Sequence, residues 1–142
     1  MARPYGLLRA GYPYLATLGM RRVTNFPTDI AFGPNGILYI LLRIEGAPVV
    51  RVWSIDDSEE FTDNLISIGH YGADDGGLVW PVNIITNEDG DIFVTDEALD
   101  RITRFNKDGE FVGKFGTHGE DPGKLQGPTG IALDLNGNLL VV

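Results

Sequence analysis

The chain has 142 residues and a net charge of −9 at neutral pH, from 11 Lys and Arg against 20 Asp and Glu. A phosphate backbone needs a Lys/Arg surplus, so this balance argues against nucleic acid as a partner. Hydrophobic residues make up 43% and the mean hydropathy is −0.02, the signature of a soluble globular chain with a core and not of a disordered one.

There is no cysteine, which excludes a disulfide framework and a thiolate metal site and fits a reducing compartment. The opening MARPYGLLRAGYPYLATLG is broken by Gly, Pro and Arg, unlike the apolar core of a signal peptide. No run approaches the roughly 18 apolar residues of a membrane span, so a cytoplasmic location without a membrane partner is the expectation. Arg3, Arg9, Arg21 and Arg22 all precede the first acid, Asp29, and read as a solvated local surface.

In chain order, Tyr5–Arg9 and Tyr14–Gly19 read as two short strands within residues 1–19. FPTDIAFGPNGILYILL (26–42) then alternates on both sides of Pro34-Asn35-Gly36, a hairpin pattern. A third strand is expected near Val49–Trp53 and a fourth near Leu65–Ile68, completing a unit over 26–69. Its extra length, Ile44–Pro48 and Asp56–Asp63, falls where surface insertions cost little. A second unit over 80–116 opens with WPVNIITNEDGDIFVTD and continues with strands Arg101–Phe105 and Glu110–Phe115, turned by Asn106-Lys107-Asp108-Gly109. The last stretch, GPTGIALDLNGNLLVV (127–142), is again a hairpin, around Asn136-Gly137.

These three openings are one pattern: Pro, two residues, Ile, an alternating run, a Gly turn, a second alternating run. Pro27, Pro81 and Pro128 mark its register, 54 and 47 residues apart. The connectors repeat too, Ile68-Gly69-His70-Tyr71-Gly72 leading through Leu78 to Pro81, and Phe115-Gly116-Thr117-His118-Gly119 through Leu125 to Pro128. Four antiparallel strands per repeat of about 45 residues predict an all-β fold, a β-propeller of four-stranded blades. Two strands at the start, four in each full unit and two at the end make three blades, one of them split between the termini. Two readings stand. Two copies close a six-bladed ring as a homodimer, or the chain is a fragment completed by the missing half of a longer propeller.

The motifs resemble NHL repeats, units of a six-bladed propeller whose blade runs Pro-x-Gly-Ile-Ala-Val-Asp, Gly-Asn-Ile-Tyr-Val-Ala-Asp, Asn-x-Arg-Ile-x-x-Phe and Phe-Gly. Gly130-Ile131-Ala132-Leu133-Asp134 with Gly137-Asn138 matches the opening, and Asp96, Arg101, Ile102, Phe105, Phe115 and Gly116 match the rest. The first unit departs, with Leu42-Arg43 in place of Ala-Asp and Asp29 in place of Gly. The resemblance implies a binding or assembly scaffold that takes a protein or small-molecule ligand on its loop-rich channel faces. NHL propellers attached to RNA-binding proteins carry basic faces, which the acidic balance here disfavours.

Asp29 and Asn83 share one column of the repeat near the expected channel, and oxygen donors of that kind suit Ca²⁺ or Mg²⁺. This resembles gluconolactonase-like propellers, which hold one divalent ion there, and implies a rival reading as a metal-dependent lactonase-like hydrolase. The plain structural reading gives both side chains to backbone hydrogen bonds. His70 and His118 lie in equivalent connectors without a Ser or Cys partner motif; one placed imidazole would suffice for a His-using lyase, and ordinary loop histidines are the plain alternative. Asn87–Asp91 reads as a turn although it has some features of a calcium loop. Asp74-Asp75, Asp56-Asp57 and Glu59-Glu60 read as solvated loop charges, and Trp53 and Trp80 as packing between blades.

Overall fold

The computed structural model describes residues 24–54 and 66–142. The strands expected within 1–19 and the loop 56–63 lie outside the described residues. Strands β1 (Pro27–Phe32), β2 (Ile37–Leu42), β3 (Val49–Ser54) and β4 (Ser67–Ile68) pair in chain order as one antiparallel sheet. Two residue pairs of parallel bridging, β5 (His70–Tyr71) with β6 (Gly77–Leu78), tie the connector. A second antiparallel sheet follows in the same order: β7 (Pro81–Thr86), β8 (Ile92–Asp96), β9 (Arg101–Phe105) and β10 (Phe111–Phe115). The last element is a hairpin of β11 (Ile131–Leu133) and β12 (Leu139–Val141). The fold is all-β, as the repeat pattern predicts.

The proline register has a local cause. Proline has no N–H to give a ladder, so it is tolerated at the first residue of a strand, where Pro27 and Pro81 stand. Each is followed by the same irregularity: Pro27 pairs with Leu42 and Asp29 with Leu41, while Pro81 pairs with Asp96 and Asn83 with Thr95. One extra residue, Thr28 or Val82, is thereby bulged out of each ladder. The turns use side-chain acceptors. Asn87 Oδ1 takes the Asp91 N–H at 2.8 Å, and Asp134 Oδ1 takes those of Asn136 and Asn138, both at 2.8 Å. Asn87–Asp91 is therefore a hairpin turn, closed by Gly90 at φ +85.

The run ILYILL of β2 is apolar throughout because the side chains of this strand are buried on both sides of the sheet, Leu38 to Leu42 without exception. Tyr39 and Leu41, with Ala31, Val50 and Ile68, pack against Leu78, Ile84, Ile92, Val94 and Phe105. Leu38, Ile40 and Leu42 point the other way, beside Ile44, Val49 and Trp53. In β8 the same alternation sends Ile92 and Val94 to the first sheet and Phe93 to the C-terminal hairpin, where it meets Ile102, Ile131, Leu139 and Val141. Burying each such side chain contributes about 1.5–3 kcal/mol, so the sheets are held face to face in a row by apolar area.

Polar contacts fix the register between the facing first strands. Ile84 N–H donates to Asp29 Oδ2 at 2.8 Å, and Thr86 Oγ1 donates to the Phe32 carbonyl at 2.6 Å. Thr95 Oγ1 donates to the Thr129 carbonyl at 3.2 Å, linking the second sheet to the hairpin. Among the described residues no helix is long and apolar enough to cross a membrane.

Candidate functional site

The corner after β8 is built on one carboxylate. Asp96 is fully buried, and its oxygens accept the N–H groups of Val79 (2.7 Å), Trp80, Ala98 and Leu99 (each 3.1 Å). A buried charge persists only when its lone pairs are filled, and here two N–H groups come from the incoming connector and two from the corner itself. Arg101 completes the join, its guanidinium donating to the carbonyls of Ala73 (2.7 Å), Asp74 (3.0 Å) and Gly77 (2.8 Å). The two motif residues therefore clamp the connector to the sheet and set where the loops at that end of β7 lie. In the first sheet Leu42 occupies the position of Asp96, pairing with Pro27 as Asp96 does with Pro81, and the clamp is replaced by an apolar contact.

The connectors are structural copies. Gly72 N–H donates to Leu78 O at 3.1 Å, and Gly119 N–H to Leu125 O at 3.2 Å. Aligned on these bonds, His118 stands where Tyr71 does, and Thr117 where His70 does. The histidines are thus one residue out of register. Both pair with a carboxylate: His70 Nε2 lies 3.0 Å from Asp74 Oδ1, and His118 Nδ1 lies 2.9 Å from Asp100 Oδ2. Asp100 also accepts the Gly127 N–H at 2.6 Å, the residue that leads into the C-terminal hairpin. Its backbone is left-handed, φ +49, which an aspartate tolerates better than most residues.

The Gly127 N–H, and secondly His118, hold the Asp100 carboxyl below its ordinary value; His70, and secondly its own backbone N–H, do the same for Asp74. A depressed carboxylate contributes stability that is present above the unfolded value, about 3.9, and lost as pH falls through the lower folded value. The amide resonance of Gly127 should therefore titrate with a midpoint below about 3.9, and Asp100→Asn should abolish that titration. A midpoint at or above the ordinary aspartate value would contradict the assigned bond.

Asp29 gives its carboxylate to Ile84 N–H, and the Asn83 N–H is taken by Thr95 Oγ1. The two are brought close through neighbouring strands, but among the described residues no three His, Cys, Asp or Glu side chains gather in a way that could hold a metal ion.

Hydrophobicity alone misplaces Trp80. It is 42% exposed, immediately before β7, with the Arg43 guanidinium stacked 4.7 Å from its ring centroid. Phe26, the corresponding residue before β1, is 74% exposed, and its carbonyl accepts the Arg43 N–H at 3.1 Å. Trp53 does pack, beside the cluster of Leu38, Ile40 and Leu42. The departure of Leu42-Arg43 from the repeat was the one sequence signal for this patch.

A scan against protein-family models finds no match. A stretch of 64 residues, 45% of the chain, is 39% identical to the RING finger protein nhl-1 of Caenorhabditis elegans, of which it spans 7%. The fold is similar to a streptogramin B lyase structure (TM-score 0.60, 18% identity, 89% of this chain). It is equally similar to a catalytically inactive virginiamycin B lyase from Staphylococcus aureus with quinupristin (TM-score 0.60, 17% identity, 88% of this chain). The chain spans 37% of each of these lyase chains. Sequence and fold together carry the resemblance to NHL-repeat propellers.

Proposed function

We propose that this NHL-like propeller module is a binding and assembly scaffold whose end sheets, open at Ile30 and at Leu140, take further blades, supplied by a second copy closing a six-bladed ring. The observation that carries the reading is a comparison of repeat equivalents. Ile84 and Ile131, each third after the marker proline, are 2% and 9% exposed because a preceding sheet covers them, whereas Ile30 in the first sheet is 53% exposed. At the other end Leu140 is 56% exposed, while its equivalents Phe93 and Tyr39 are 7% and 1% exposed. A cleft of about 510 Å³ beside the hairpin, lined by Phe93, Arg104, Val112, Phe115 and Leu139, offers room where the outer strands of a third blade would stand. The two open positions are complementary in repeat register, Ile30 standing where a preceding sheet is received and Leu140 where a following one is.

Replacing Ile30 tests this. Ile30→Asp places a charge in the apposed face and is expected to halve the solution mass while leaving the far-ultraviolet spectrum unchanged. An unaltered mass would separate that face from assembly. The rival source of blades is the same polypeptide, continued as a longer propeller, and it is the outcome indicated if the chain alone is a monomer.

One observation favours an enzyme as second reading. With Nδ1 of His118 bonded to Asp100, a neutral ring leaves Nε2 free to accept a proton, the group a His-using lyase needs. Turnover of quinupristin, lost in His118→Ala, would favour that reading; intact quinupristin would leave the scaffold.

A further inference from the structure

Three exposed features are not used by the scaffold reading: the His70–Asp74 pair, the Asp134 turn, and the patch of Phe26, Arg43 and Trp80. The Asp134 oxygens are used by its own turn, Asn136 and Asn138 N–H and Asn138 Nδ2 all donating to them. His70 and Asp74 are mutually satisfied at the surface. The patch is different in kind.

Phe26 is a bulky aromatic residue with φ +53, in the left-handed region. Its repeat equivalent before the third marker proline is Gly127, with φ +55, the residue that adopts this backbone without steric cost. An aromatic side chain in that conformation is strained and persists where something gains from it. It gains nothing from burial, since the ring is 74% exposed. Beside it, Arg43 lies over the Trp80 ring at 4.7 Å and makes no ion pair among the described residues, in a chain where acids outnumber bases by 20 to 11. Stacking on an indole holds the guanidinium flat and leaves its edge donors available for a carboxylate.

We infer that Phe26, Arg43 and Trp80 form a peptide-recognition patch for a segment presenting an aromatic side chain beside a single carboxylate, the ring against Phe26 and the carboxylate on Arg43. Charge selects the class. A guanidinium and two aromatic rings would also suit a nucleotide, but a net charge of −9 opposes a polyanion while one carboxylate needs only the local cation. Glu97, on the corner next to Trp80 and bonded to it through backbone, further limits the ligand to one negative charge near Arg43. This inference rests on the scaffold reading, yet the patch lies within one chain, so its test and the solution mass fail independently.

The test is a titration of Trp80 fluorescence in a Trp53→Phe background with N-acetyl-phenylalanine, its amide, N-acetyl-alanine and uridine 5′-monophosphate. Saturable quenching by N-acetyl-phenylalanine with a Kd of about 1 mM or below is expected, with each of the amide and the alanine compound at least about tenfold weaker. Phe26→Gly relieves the backbone, so it should fold at least as well as the parent and still lose the response; Arg43→Gln should lose the preference for acid over amide. Equal responses to acid and amide, no saturation, or binding retained in Phe26→Gly would overturn the assignment. Tighter binding of the nucleotide would overturn it in favour of single-stranded nucleic acid.

Discussion

Asp96→Ala is expected to cost about 3–5 kcal/mol, enough to unfold most of a marginally stable domain. Four N–H groups lose their acceptor at once, and the side chain removed is fully buried. Asp96→Asn should be nearly as harmful. An amide keeps one oxygen but presents an NH₂ to N–H donors on the other side, replacing attraction by a donor–donor contact. Chemical denaturation of the three proteins measures this directly. A loss below about 1 kcal/mol in the alanine variant would show that the corner does not depend on its carboxylate.

Gly77→Ala should be comparably severe for a reason independent of φ. A Cβ at this position would lie within contact of the Gly72 carbonyl and against the Asp74 carboxylate. The first is backbone, which cannot rotate away, so the connector must open. Opening it also moves the Gly77 carbonyl off Arg101, leaving a buried guanidinium with one acceptor fewer. A loss of about 3 kcal/mol or more is expected, whereas Gly113→Ala, where nothing lies near the added carbon, should be within about 1 kcal/mol of the parent. Similar melting temperatures for the two variants would contradict the close approach.

Much of this architecture is legible in the chain because strands declare themselves by alternation and turns by Asn, Asp and Gly. β9 runs over Arg101–Phe105 as the pattern predicts, and β10 starts at Phe111, one residue inside the expected Glu110. Connector bridging was not legible, since two residues of parallel pairing leave no period to detect. The roles of Asp96 and Arg101 were visible only as matches to a family pattern. Their partners, Val79, Ala73 and Gly77, lie 17 to 28 residues away and are brought in by the connector fold. Asp29 shows the limit most clearly. Its column suggested either an ion or backbone bonding, and the bond seen, from an N–H 55 residues away to one of its oxygens, is made by sheet-to-sheet geometry that no spacing encodes. Trp80 erred for a related reason. Apolar character says that a residue wants cover, not which end of a sheet the fold leaves open.

The ring-completing scaffold is tested most directly by light scattering on the purified 142-residue chain over a concentration series. A particle of twice the 15.5 kDa chain mass, stable on dilution, is the expected result. A well-folded monomer of 15.5 kDa at every concentration would contradict closure by a second copy and assign the facing blades to other sequence.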